Sequence, residues 1–367
     1  MMMKRVRFGI WAMTLSALVA ADGSWKVQYF YDKDDSKFVI NDFQFVTEKH
    51  GYAAGFRESK KSPLRPMVIM TTDGGQAWVE SYPPFIPESM FFVNETTGWM
   101  SADSGIWQTT DSGTSWRKLA EVTGVARLWF LTEKRGFLIG APKLMKETKD
   151  GGTTWTDVKA AKDVTGKAQN TRYTAIAFDG RTGVVVGVSE PARPQAESPA
   201  WVDPQEAASR RLWPTLSIAV RTNNEGETWT ASTAPVFGTT TRMKLLGRVG
   251  MSVVRYGESF EVPSEVYAIN TAGKVLSAYR QKNRIVTDAG WLGPEAILVA
   301  VEPPGKLNQL PFPGKVKVLK SLDMHTWTEM DISYKAFGGN ASLAIVNENN
   351  AWIATDTGMI LHWVPKP

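Results

Sequence analysis

Short apolar runs recur along this chain in a fixed order, separated by clusters of Gly, Asp and Thr. Lys26-Val27-Gln28-Tyr29-Phe30-Tyr31 alternates in the two-residue rhythm of a strand with one buried face. Runs flanked by small residues follow as Gly51-Tyr52-Ala53-Ala54-Gly55, Gly98-Trp99-Met100-Ser101-Ala102, Gly136-Phe137-Leu138-Ile139-Gly140, Gly183-Val184-Val185-Val186-Gly187 and Ala351-Trp352-Ile353-Ala354-Thr355. Several come after an apolar pair such as Phe43/Phe45, Phe91/Val93, Trp129/Leu131 or Ile176/Phe178. These runs predict strands joined by tight turns.

A second pattern closes most of these units. Thr71 to Trp78 reads TTDGGQAW, Thr109 to Trp116 TTDSGTSW, and Thr148 to Trp155 TKDGGTTW. Thr222 to Trp229 (TNNEGETW) carries Asn224 at the Asp position, and Ser321 to Trp327 (SLDMHTW) is one residue shorter. The pattern (S/T)-x-D-x-G-x-x-W resembles the Asp-box, or bacterial neuraminidase repeat, a turn between the outer two strands of β-propeller blades. The residues explain why such a turn closes. Asp73, Asp111, Asp150, Asn224 and Asp323 can accept bonds from the backbone N–H groups that follow them. Gly75, Gly113, Gly152 and Gly226 supply a positive-φ position. Trp78, Trp116, Trp155, Trp229 and Trp327 then open the next strand with a large apolar ring. A structural staple is expected of the box, and no metal.

Each unit therefore reads as inner strand, turn, second strand, third strand, box and outer strand. The fold expected is all-β, a seven-bladed β-propeller of four-stranded antiparallel blades. Six or eight blades stay open, because the fifth and sixth units have weak signals. Blades are expected over approximately 39–84, 85–122, 123–168, 169–236, 237–282, 283–334 and 335–367, the fifth with a worn box at Asn270-Thr271-Ala272-Gly273. The seventh has three strands and no box. Asp22-Gly23-Ser24-Trp25 looks like the tail of one, so the N-terminal strand is expected to complete that blade. Insertions fall at 189–215, with a short helix expected over Pro204 to Leu212, and at 302–315.

Length alone suggests two or more domains, but repetition makes residues 22–367 one closed domain. Lys4, Arg5 and Arg7 precede an apolar run ending Ala17-Leu18-Val19-Ala20-Ala21, the pattern of a secretory signal peptide over 1–21. Its removal takes three of the 42 basic residues and none of the 37 acidic ones, leaving 39 − 37 = +2. Net charge then gives no support to nucleic-acid binding. An exported chain, periplasmic or secreted, is expected, with no membrane span after cleavage and a monomeric state. The absence of Cys excludes disulfides and thiolate chemistry, and the three histidines, His50, His325 and His362, are scattered. No cofactor is expected.

The candidate chemistry is basic. Arg127, Arg172, Arg242 and Arg284 stand at or just before the inner strands of blades three to six, and Arg57 and Arg255 leave the second strands of blades one and five. The blade-four insertion adds Arg193, Arg210 and Arg211 with Trp201 and Trp213. All of these project onto the face that carries the insertions. Guanidinium groups bond carboxylates bidentately, so an acidic peptide, a carboxylated glycan or a C-terminus is the expected ligand. Such arginines also serve as plain ion-pair partners for nearby acids. Asp42, Glu58, Glu88, Glu190 and Asp203 lie toward the same face without an evident catalytic pairing.

Taken over Asp22 to Pro367, the strand pattern with Gly51-Tyr52, Gly98-Trp99 and Gly136-Phe137, each followed by its box, resembles the photosystem II stability/assembly factor-like branch of the Asp-box propellers. That resemblance implies an exported seven-bladed assembly scaffold with an arginine patch on one face. Sialidases and xyloglucan-active endoglucanases also carry such boxes, which leaves a glycosidase as the alternative. The Arg-Ile-Pro signature of a sialidase is approached here only by Leu64-Arg65-Pro66.

Overall fold

A computed structural model describes residues 22–33, 35–103, 105–190, 214–247, 249–257, 260–269, 274–303 and 314–366. Its strands form seven antiparallel blades, each built from consecutive strands except the last. The inner strands are Ser36–Phe45, Ser89–Phe92, Val125–Phe130, Thr171–Asp179, Thr239–Leu246, Ile285–Leu292 and Ala341–Asn347. They contact one another in cyclic order, with the seventh against the first. The ring is therefore closed. The short helix Lys159–Lys162, which the strand pattern did not predict, links blades three and four.

Blade seven contains Ala341–Asn347, Asn350–Thr355, Met359–Pro365 and, as its fourth strand, Gly23–Phe30. Gly23 pairs with Pro365 and Phe30 with Met359, which sets Asp22 on the rim where other blades carry a box turn. There Lys366 Nζ lies 3.0 Å from the Asp22 carboxylate, and the Lys366 N–H donates to the Asp22 carbonyl. Two blades exceed four strands. Asp331–Ile332 adds in parallel to Gly23–Phe30, and Phe337–Gly338 pairs with Gly314–Ser321.

The interior is divided among the blade junctions, and glycine explains how they fill. Gly51, Gly98, Gly136 and Gly183 open their second strands directly opposite Phe45, Phe92, Phe130 and Phe178. A Cβ at Gly98 would stand 2.6 Å from the Phe92 ring, and one at Gly183 2.3 Å from the Phe178 ring. Each Phe then lies against an aromatic of the preceding blade's second strand. Phe45 stacks on Trp352 at 3.5 Å, Phe92 on Tyr52 at 3.6 Å, Phe130 on Trp99 at 3.6 Å and Phe178 on Phe137 at 5.3 Å. The box Trp of the same blade meets that Phe edge-on, as Trp116 meets Phe92 at 78° and Trp155 meets Phe130 at 81°. Three rings thus lock one blade to the next, in geometries that aromatic quadrupoles favour.

The boxes close as their residues dictate. Thr71 Oγ1 accepts from Gly75 N–H at 2.9 Å and donates to Asp73 Oδ1, which accepts from Ala77 N–H at 3.0 Å. Gly75 holds φ at 91°. The same bonds recur around Asp111 and Asp150, and Asn224 accepts equally well through its amide oxygen. In the shortened box Asp323 accepts from both His325 and Thr326.

These bonds favour the ionised carboxyl and hold Asp73, Asp111, Asp150 and Asp323 below their ordinary value of 3.8. The amide of Ala77 dominates at Asp73, the Ser115 hydroxyl at Asp111, the Thr154 hydroxyl at Asp150 and the amide of Thr326 at Asp323. A depressed carboxyl stabilises the fold above its unfolded pKa and ceases to do so as pH falls through the folded one. Acid titration followed by tryptophan fluorescence should therefore show loosening below about pH 4. An Asp73→Asn, Asp111→Asn, Asp150→Asn variant, imitating Asn224, should stay folded at neutral pH and lose part of that acid dependence. An unchanged acid profile would show that the boxes play no part in it.

Candidate binding site in the central channel

The inner strands surround a channel enclosing about 400 Å³. Five of them carry a register shift that displaces Asn41, Ala126, Thr174, Thr241 and Thr287. A bulge of this kind re-aims the residue that follows. Asp42, Arg127, Ala175, Arg242 and Asp288 consequently occupy equivalent positions, and Ser89 and Ser342 are their counterparts opposite Ser101 and Ala354. All seven form one layer of the channel wall. The layer lies toward the face where the insertions attach. The box turns lie on the opposite rim, bonded to the first hairpin of their blade, as Gly74 N–H is to Lys49 O.

The acids of this layer are committed to the ring itself. Asp42 Oδ2 accepts from Met90 N–H at 2.9 Å and from the Ser89 hydroxyl at 3.1 Å, both in the next blade. Ser89 Oγ in turn accepts from Leu128 N–H at 3.2 Å. Asp288, 3% exposed, accepts from Leu343 N–H at 2.9 Å through Oδ2 and from Ala289 N–H through Oδ1. These are inter-blade staples between inner strands.

The bases are less committed. Arg127 donates to the Ala126 carbonyl and Arg242 to the Thr241 carbonyl. Arg242 Nε lies 3.9 Å and Lys244 Nζ 4.0 Å from Asp288 Oδ1, long contacts to a carboxylate already bonded to two amides. Among the described residues no carboxylate lies within ion-pair distance of Arg127 or Arg255. Burial lowers the pKa of both, Arg242 lowers them further, and Asp42 and Asp288 offset this at Arg127. Arg127 and Arg242 line the channel and Arg255 stands outside that lining, with Arg242 repelling both. The partly desolvated pair in the channel makes a site for an added carboxylate.

The other arginines are placed elsewhere. Arg172, just ahead of its bulge, pairs with Glu190 at 2.7 Å. Arg284 bonds Glu329 and lies 3.7 Å from Glu302, in a blade-six network shared with Lys317. Arg57, opposite Phe38 and Arg65, acts on Glu80 of the outer strand. None of these three lines the channel. Arg193, Trp201, Arg210, Arg211 and Trp213 lie outside the described residues, as do Asp203, the worn box expected at 270–273 and the leader expected over 1–21.

Among the acids, Glu58 pairs with Lys37 at 2.8 Å, while burial and Asp103 raise Glu88. His50 contacts Glu95 and Thr47, and His362 stacks on Trp352. Among the described residues no group of three or more His, Asp or Glu could hold a metal ion, and no helix is long and apolar enough to cross a membrane. Sequence reasoning passed over Asp288 and Lys244. Counting from the strand ends misses them, because the bulge that places Asp288 leaves no mark in the sequence.

Comparison with known proteins gives the same architecture. Residues 121–192, which span blade three and the first two strands of blade four, match the family described as photosynthesis system II assembly factor YCF48. No curated protein matches the chain. The structure of YCF48 bound to a D1 peptide superposes with a TM-score of 0.59 at 16% identity, covering 93% of this chain and 98% of that one. YCF48 from Cyanidioschyzon merolae gives 0.58 at 12% identity, with 94% and 99% covered. The β-propeller domain of the Trilobed protease from Pyrococcus furiosus gives 0.55 at 8% identity, with 89% and 95% covered. In sequence over residues 121–192, and in fold over nearly its whole length, the chain is similar to the YCF48-type assembly-factor propellers.

Proposed function

We propose that this chain is an exported, non-catalytic binding propeller that captures an acidic segment of a protein partner at the arginine-bearing end of its channel. The observation that carries this reading is the pairing of Arg127 with Arg242 in the channel wall, with Arg255 close enough to Arg242 to be repelled by it, while Asp42 and Asp288 are occupied by backbone amides of neighbouring blades. The peptide-bound state of a YCF48 propeller supports the class of ligand. The leader over 1–21 supports a partner in the cell envelope or outside it. Carboxylated glycans share the anionic chemistry but lack the extended backbone that a channel mouth can accept.

Binding of partners from an envelope extract, with identification of the retained material, tests the proposal. The double variant Arg127→Glu, Arg242→Glu removes two charge-assisted contacts, each worth about 1.5–3 kcal/mol, so capture should fall by on the order of a hundredfold or more. Unfolding temperature should be measured alongside to show that the ring is intact. Undiminished capture by a folded double variant would remove the channel from consideration. Retention of uronate-containing glycans rather than protein would replace the partner class.

A further inference from the structure

The junction between blades four and five departs from the other six. Its aromatic positions hold Val184 after the second-strand Gly183 and Leu245 opposite Gly250. No aromatic residue occurs between Tyr267 and Tyr279, where a blade-five box would place its Trp. Each remaining junction keeps at least one ring at these positions, down to Trp291 and Trp327 between blades five and six and Trp25 between six and seven. The core here is reduced to Ala175, Ala177, Val184, Val186 and Met243, edged by Leu245 and Ile269.

The missing rings leave a cleft of about 990 Å³ among the described residues. It runs the height of the blades, from Val188 and Tyr256 at the insertion-bearing face to Val249 and Val275 at the box rim. Thr230–Val236 along one side is exposed at all seven positions, and Val275 on the other is 55% exposed. One buried polar cluster interrupts the apolar lining. Glu265 accepts from the Tyr256 hydroxyl at 2.9 Å and from Ser277, with Tyr267 3.1 Å from Tyr256. Arg221 at the box rim and Arg280 at the opposite end are exposed lining residues. Neither has a carboxylate within ion-pair distance among the described residues; Glu261, which also lines the cleft and feels the charge of Arg280, pairs with Lys282 at 2.6 Å.

We propose that this cleft is a second binding site, separate from the channel, for an extended acidic protein segment that carries aromatic side chains. The six filled junctions show that rings are what this architecture places between blades, and Arg221 at one end, with Arg280 at the other beside a Glu261 already paired to Lys282, favours acidic groups on the occupant. Strand spacing of about 3.3 Å per residue makes the cleft long enough for roughly six or seven extended residues. The site is distinct from the channel, and none of Arg127, Arg242 and Arg255 lines it.

The test uses the full chain and a labelled octapeptide with alternating Phe and Leu flanked by Asp at both ends, followed by fluorescence anisotropy. Binding is expected. Ala234→Trp, and independently Ser232→Trp, set a ring into the cleft and should weaken binding at least about tenfold, as loss of a central apolar pocket does. Arg280→Glu should weaken it several-fold and flatten its salt dependence. The Arg127→Glu, Arg242→Glu variant should bind this peptide as well as the parent, which keeps failure here separate from failure of the channel proposal. Absence of binding, or binding indifferent to both Trp substitutions in folded variants, overturns the proposal. Binding that appears only after residues 191–213 are removed also overturns it, by showing that the chain's own insertion occupies the space.

Discussion

Trp99→Ala is expected to lower the free energy of unfolding by about 3–5 kcal/mol, the range for truncating a buried tryptophan. Trp99 is fully buried, stacks on Phe130 of the next blade at 3.6 Å and donates its Nε1–H to the Gly151 carbonyl at 2.8 Å. The substitution empties the junction of blades two and three and leaves that carbonyl without its partner. Val184 occupies the corresponding position in blade four and has no such stack. Val184→Ala should therefore cost roughly 1–2 kcal/mol. Urea denaturation distinguishes the two through the midpoint, provided the slope stays constant. Equal shifts for both variants would show that the aromatic staircase is not what joins the blades.

Asp288→Leu is expected to destabilise by a comparable amount, about 3–5 kcal/mol, because it removes one partner of a buried charged group. The amides of Leu343 and Ala289 lose their acceptor, and Arg242 and Lys244 lose their nearest carboxylate. Asp288→Asn keeps an oxygen for Leu343 N–H and should cost much less. It also removes the negative charge closest to Arg242, so an anionic peptide at the channel should bind the Asn variant more tightly than the parent. Thermal unfolding together with peptide titration reads both effects. A weaker complex with the Asn variant would mean that Arg242 does not contact the ligand.

Much of the fold was legible because its information is local and repeated. The box fixes its own turn through bonds spanning four residues, and Gly opposite Phe marks where two strands must approach. Blade boundaries followed from these marks, even for blade five, whose box is worn. Side-chain facing was harder to read. One extra residue in an inner strand reverses every later side chain, and the bulges at Asn41, Ala126, Thr174, Thr241 and Thr287 leave no compositional trace. Arginines counted together from strand ends therefore separate in space, with Arg127 and Arg242 in the channel while Arg57 and Arg284 do not line it. The helix Lys159–Lys162 escaped notice because it is a single turn with no side-chain cap. The aromatic gap at blades four and five was visible as the absence of a Trp, but its meaning needed the neighbouring junctions for comparison.

The pairing of Gly23–Phe30 with Met359–Pro365 also governs how this molecule comes into being. A ribosome delivers the first of these segments hundreds of residues ahead of the second, so the early strand has no partner until synthesis is almost finished. Six blades can assemble progressively from contacts close in sequence, while the last must bring opposite ends of the polypeptide together, the most separated contact in the chain and the slowest kind to form. Until that moment Met359–Pro365 presents a bare β-edge and the last blade junctions stay uncovered. A folding helper that shields them would act on the nascent arc rather than on the finished ring.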